Sequence, residues 1–314
     1  MKISSPKDAV LAITYRCNSR CRMCNIWQKD DFTGEITPDI YQNLPKSLRD
    51  INLSGGEPFL RDDITLIVQT IKQRCKSAKL VISTNGFATD LITSKMREIL
   101  PIVPEVGVAV SLDGVGEAHD QVRGVPGGID LALATLRELK KIGVRRLKIG
   151  FTLGDYNTEE LPKVYDLSRE LGAEFSLAIV HSSANYFSKE NEMKDKGKVM
   201  AALDWLVSRE LESWQPKRLA RAYFAHGARE FIRTGERLLP DYSGRDNVFI
   251  DPAGDIYPND VGEEMIGNLK QMNDLTLAVK APDVPSWMIC TTRQAMRKHP
   301  FSVGWWILKN KALI

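Results

Sequence analysis

Cysteine is scarce in this 314-residue chain, five in all, which argues against the disulfide framework of a small secreted domain. Apolar runs are short, and none reaches the roughly 18 residues that mark a transmembrane helix. The opening segment Met1–Asp8 has no apolar stretch of the signal-peptide kind, so none is expected. Charge of one sign is lacking too. Lys plus Arg is 43 and Asp plus Glu is 40, a formal net charge of +3, which gives no electrostatic reason to expect nucleic acid or an anionic membrane as partner. No internal repeat or low-complexity tract interrupts the chain. These absences leave a cytoplasmic globular protein, long enough for one large core domain and a smaller appendage.

Three of the cysteines stand close together, Cys17, Cys21 and Cys24, spaced C-x3-C-x2-C directly after the strand-like run Ala9–Tyr15. Three thiolates on one loop suit an iron–sulfur cluster. A [4Fe–4S] cube held at three corners leaves one iron open to another ligand. A structural zinc site needs a fourth ligand, and no other Cys or His lies nearby in sequence; spacing alone leaves a closed site as an alternative and favours the open-iron cluster. A second segment, Ile51–Pro58, reads as a strand running into Gly55-Gly56-Glu57-Pro58. Glycine allows backbone to approach a ligand closely.

Together, in this order and each at a strand end, the two motifs resemble the radical S-adenosylmethionine (SAM) superfamily. The resemblance implies a [4Fe–4S] cluster on Cys17, Cys21 and Cys24, with SAM chelating the open iron. One electron cleaves the sulfonium, and the resulting 5′-deoxyadenosyl radical takes a hydrogen from a substrate carbon. It implies that Gly55, Gly56 and Glu57 receive the SAM amino group and that Met23 covers the cluster with apolar surface. Thr84 and Asn85, in Ser83-Thr84-Asn85-Gly86, border the SAM pocket in this reading. Ser111 and Asp113, in Ser111-Leu112-Asp113-Gly114, suit ribose hydroxyls or an ammonium. Arg123, in His119-Asp120-x-x-Arg123-Gly124, is the candidate for the SAM carboxylate because its fork matches carboxylate geometry; His119 shapes the loop. Trp27 lines the adenine pocket or simply packs. His181, after the sixth strand, is the candidate for substrate contact or proton transfer. Cys75 and His226 are read as structural.

Strand-like runs at 9–15, 50–54, 79–84, 106–112, 146–152 and 174–180 alternate with helical patterns at 62–75, 128–142 and 158–171. That predicts an α/β fold, an open (β/α)6 partial barrel of the TIM type, with both motifs at the C-terminal strand ends. Residues 1–187 would form this barrel and 188–314 a small α+β extension. The charged run Ser188–Lys198 reads as a solvated linker or helix start. Helices are expected near 198–213 and 217–234, and a hairpin over Val248–Pro258. The tail resembles the SPASM/Twitch extension of some relatives. Asn259 stands where those commonly carry Cys, and only Cys290 follows, so no auxiliary cluster is expected. The aromatic stretch 301–314 is expected to pack on the core; peripheral membrane contact is an unsupported alternative. The expected partners are a small-molecule, sugar, lipid or peptide substrate and an electron donor such as flavodoxin or ferredoxin. The competing readings are a non-catalytic iron–sulfur electron-transfer or sensing protein and a zinc-binding structural protein.

Overall fold

The computed structural model describes residues 5–184, 186–271 and 285–312. The chain opens with β1 (Asp8–Ala12), β2 (Asp50–Ser54), α1 (Ile64–Arg74), β3 (Lys79–Thr84), α2 (Thr89–Ile99) and β4 (Gly107–Ser111). Next come α3 (Glu117–Arg123), α4 (Gly128–Lys141), β5 (Arg146–Leu153), α5 (Glu160–Glu170) and β6 (Glu174–Ile179). Strands β1 to β6 pair in parallel in chain order, as the alternation of elements predicts. Of these first five helices, α2 and α3 have no counterpart in the sequence reading.

Side-chain alternation gives each strand two different faces. Leu11, Leu53, Ile82, Val110 and Ile149 are buried in the main core, where Ile64, Ile67, Val68 and Ile71 of α1 are also buried. On the other face Val10, Asn52, Val81, Ala109, Lys148 and Ser176, one from each strand, line a single cavity. The sheet therefore curls around a hollow interior, as a partial barrel must. Cys75 ends α1 in the core, its thiol donating to the Pro45 carbonyl (3.3 Å).

The rest of the chain adds α6 (Lys196–Leu211), α7 (Pro216–Thr234), β7 (Asn247–Ile250), β8 (Asp255–Tyr257), β9 (Gly267–Asn268), α8 (Ile289–Lys298) and α9 (Pro300–Lys311). β7 pairs in parallel with β1, Asp8 opposite Asn247, and β8 and β9 follow antiparallel. The result is one nine-stranded sheet ordered β6-β5-β4-β3-β2-β1-β7-β8-β9, continuous across residue 187. Asp251 Oδ1 accepts from the Ala253 and Asp255 amides (both 2.9 Å), and Gly254 takes φ +89°, which closes the β7–β8 turn. Asn259 is buried. Its side-chain oxygen accepts from the Val261 and Gly262 amides, so the position works as a turn.

Helices α7, α8 and α9 close the end of the barrel where the strands begin. Arg293 of α8 clamps the buried Asp8 of β1 through Nε (2.8 Å) and Nη2 (2.5 Å). Trp287 donates to the Phe224 carbonyl (2.9 Å) and lies against Gly227, where a Cβ would come within 2.0 Å of its ring. His226 stacks on Trp306 (4.6 Å), a packing role. The expected burial of the C-terminal aromatic stretch is only half met. Val303 is buried and Trp306 and Ile307 pack on the core, but Phe301 is 91% exposed and Trp305 72%. A helix presents one face to its neighbours, and these two residues lie on the other; residues 313–314 fall outside the described part. Among the described residues no helix is long and apolar enough to cross a membrane.

Candidate active site

The cysteine loop leaves β1 at the C-terminal end of the barrel and is fastened from two sides. From β2, the Gly56 amide donates to the Thr14 carbonyl (2.8 Å) and the Glu57 amide to the Arg16 carbonyl (2.7 Å). The approach is so close that a Cβ on Gly55 would lie 2.2 Å from the Thr14 oxygen, and one on Gly56 2.2 Å from the Arg16 oxygen. The two glycines are thus required by the seam between the two motifs. From the other side, the Arg20 and Arg22 amides donate to the carbonyls of Arg123 (3.0 Å) and Val122 (2.8 Å) at the end of α3. Gly124 caps that helix at φ +66°, with Arg20 where its Cβ would be.

Cys17, Cys21, Cys24 and Met23 all line the barrel cavity, joined by Gly55, Gly56, Thr84, Asn85, Ser111, Arg123 and His181. Burial pushes the Cys17 and Cys24 thiols up to about 12, so each keeps its proton until a metal displaces it. Cys21 Sγ lies 2.9 Å from Ser19 Oγ and 3.6 Å from Arg123 Nη1. Among the described residues no group of three or more His, Cys, Asp or Glu is arranged around a single metal ion. Three thiols on one loop, opening on a hollow, are the donor set of a three-cornered cluster. Trp27 also lines the cavity and donates to the Cys24 carbonyl (2.9 Å).

Two carboxylates expected at the SAM site are enclosed instead. Glu57 is fully buried and accepts from Thr84 Oγ1 (2.9 Å), the Asn85 amide (2.7 Å) and the Phe59 amide (3.3 Å). Burial pushes its carboxyl up to about 7 despite these donors. Asp113 is likewise fully buried, accepting from the Thr152 amide (2.7 Å) and pairing with Arg123 Nε (2.7 Å). Burial also raises its carboxyl above the ordinary value. Both groups hold strand ends together, because a strand end must bond its amides somewhere once the ladder stops. Arg123 keeps a place on the cavity wall while its Nε is committed to Asp113. His119 accepts from the Asp113 amide (3.2 Å) and is pushed down to about 4 by burial and then by Arg123, which fits its loop-shaping role. Asp120 caps α4 through the Gly127 and Ile129 amides.

His181 faces the same cavity beside Asp260, Nε2 to Oδ2 3.7 Å, an ion-pair distance too long for a hydrogen bond. Burial works against its charge, but Asp260 and the Ile179 carbonyl outweigh it and raise the imidazole above its ordinary value. Cys290 is buried on the cavity wall, its thiol pushed well up by burial.

The sequence reading missed the segment that covers the cysteine loop. Tyr186 bonds Ser54 Oγ (3.1 Å) and donates to the Gly55 carbonyl (3.0 Å). The Asn25 amide donates to Phe187, and Asn191 Nδ2 to the carbonyls of Met23 and His181 (both 3.0 Å). Residues 186–191 are therefore a latch, which takes in the first part of the run 188–198 expected as a solvated linker or helix start. α6 does begin within that run, at Lys196, and only the aromatic pair Tyr186-Phe187 ahead of the charges signals the latch.

The cavity holds about 1330 Å³, more than the roughly 300–1,000 Å³ of a single small-ligand site, so it has room for two ligands. Comparison with known proteins gives this geometry a context. The chain is 30% identical to the pre-heme d1 synthase of Dinoroseobacter shibae over 85% of its own length and 72% of the relative's. It is 33% identical to the Fe-coproporphyrin III synthase and 30% identical to the AdoMet-dependent heme synthase of Methanosarcina barkeri. Each of these two matches covers 54% of this chain, and 43% and 49% of the relative. Among solved structures, anSMEcpe with bound AdoMet and Cp18Cys peptide superposes with TM-score 0.60 at 18% identity, covering 85% of this chain and 79% of the other. Streptococcus suis SuiB bound to precursor peptide SuiA gives 0.61 at 15%, covering 86% and 64%; at such identities the likeness is one of fold. The Radical SAM superfamily model matches residues 11–168, from β1 through most of α5. The chain belongs to that superfamily and is an enzyme of its kind, with a [4Fe–4S] cluster and SAM as cofactors.

Proposed function

We propose that Cys17, Cys21 and Cys24 hold the cluster, and that SAM lies between them and the strand ends at Gly55, Gly56, Thr84, Asn85 and Ser111. The substrate occupies the rest of the barrel cavity and is a tetrapyrrole-type small molecule. The observation that carries this reading is the single cavity running from the three thiols down the barrel interior. Relatives named for heme d1, coproporphyrin and heme synthesis favour the substrate class.

When bound, the cluster and SAM supply one-electron cleavage of the sulfonium and abstraction of a substrate hydrogen. The protein supplies position and dryness. Asn85 Nδ2 donates to Asn18 Oδ1 (2.7 Å), tying the third strand end to the cysteine loop. Met23 and the latch residues Tyr186 and Phe187 exclude water from the thiols. Arg123 Nη1 places a positive charge beside Cys21, which offsets negative charge on a thiolate-bound cluster. Glu57 and Asp113 act through the residues they brace. His181 lies beside Asp260, whose charge favours the protonated imidazole.

Anaerobic reconstitution with iron, sulfide, SAM and dithionite, followed by assay of 5′-deoxyadenosine, tests the assignment. The wild type is expected to form it. Cys17→Ala, Cys21→Ala and Cys24→Ala should each abolish it, and Cys75→Ala should not. Product from any of the three loop variants overturns the ligand set.

A further inference from the structure

At the opposite end of the cavity from the cysteines, where the strands begin, the walls carry Arg146 and Lys148 of β5, Lys217 of α7 and Arg293 of α8. Arg293 is already clamped on Asp8, and Arg297 on Asp50, which leaves Arg146 and Lys148 the less fully answered. Glu174 alone serves two lysines, Lys217 at 2.6 Å and Lys148 at 3.6 Å. Arg146 donates to the Glu105 backbone carbonyl (3.1 Å), while the Glu105 carboxylate is bonded to Lys72 (2.6 Å). Lys148 is the more enclosed of these two lysines, its side chain 22% exposed against 74% for Lys217. Burial first, then the like charges of Arg293, Lys217 and Arg146, push its ammonium below the ordinary value even with Glu174 near. A cation held away from water among other cations is costly unless an anion joins it.

We infer that this basic floor binds a carboxylate of the substrate, with Lys148 as its central contact and Arg146 beside it. The inference rests on the proposed placement of the substrate in the barrel and adds the anchor. Lys148 and Thr152 are four residues apart on β5, about 13 Å at ~3.3 Å per residue, and Thr152 bonds Asp113 behind the cysteine loop. An acid anchored at Lys148 therefore reaches along the barrel axis toward the cluster end. Electroneutral molecules of the same shape lose the anchor. The floor is thus a device for orientation, fixing which end of the substrate meets the chemistry.

The test compares coproporphyrin III with its methyl ester, by fluorescence quenching on anaerobically reconstituted enzyme. The wild type is expected to prefer the free acid by about tenfold or more, as a charge-assisted pair allows. Lys148→Gln should lose that preference with ester affinity unchanged, Lys148→Arg should keep it, and Arg146→Gln should reduce it. An acid-to-ester ratio unchanged in Lys148→Gln overturns the anchor and leaves the tetrapyrrole reading standing. If neither porphyrin binds, the tetrapyrrole reading fails, and the floor is then decided with citrate. Citrate should raise the melting temperature of the wild type above that in chloride of equal ionic strength, and should not do so for Lys148→Gln. Equal shifts in both proteins overturn the anion site.

Discussion

Gly56 carries the severest steric demand near the cysteine loop, since its missing Cβ is what lets β2 bond to the loop's stem. Gly56→Ala should therefore cost up to about 3 kcal/mol, as overpacking does, and should lower the iron bound per chain after reconstitution. Thermal melts and iron assay read the two effects together. Glu57 makes a different demand. Its folded value near 7 stands above the ordinary 4.5. Across that window the folded protein keeps a proton that the unfolded chain has released, so stability falls as pH rises from about 4.5 to about 7. Glu57→Gln cannot ionise and should flatten that part of the melting-temperature profile; an unchanged slope would place the titration elsewhere. The motif signalled a ligand site around this glutamate. That Glu57 braces the site from behind was not legible, because a motif gives residue types and not which way a carboxylate turns.

Among the elements, five of the six barrel strands were legible to within a residue, because a buried parallel strand has to be a short, continuous apolar run; β1 ends at Ala12, three residues before the expected bound. β2 and β3 fall at the expected bounds. α2 was not, since Thr89, Asp90, Thr93 and Ser94 dilute its apolar stripe, although Ile92, Met96 and Ile99 are its buried side. The latch escaped for another reason. Its bonds end on backbone carbonyls of Met23, Arg22 and Gly55, and a carbonyl leaves no trace in sequence. Asn191→Ala removes the bond to Met23 and a second one to the His181 carbonyl, each worth about 1 kcal/mol. The variant should load its cluster and then lose cluster absorbance to oxygen faster than the wild type. Equal bleaching rates would show that the latch does not shield the loop.

For the whole molecule, the pairing of β7 with β1 is the feature that sequence periodicity could not foresee. A strand's pattern says that it is buried, not which distant partner lies beside it. The consequence concerns the order of synthesis. β1 is made first, yet its outer edge and the buried Asp8 find their partners only once Asn247 and Arg293 have been made. Chains that stop at residue 240 should therefore expose an unzipped strand from which the cysteine loop hangs. They should aggregate or fail to retain iron, and a stable, iron-loaded fragment of that length would refute this. The scaffold that receives the metal is thus complete only after Arg293 has been made, so assembly of the inorganic core must wait for residues far beyond the cysteine loop.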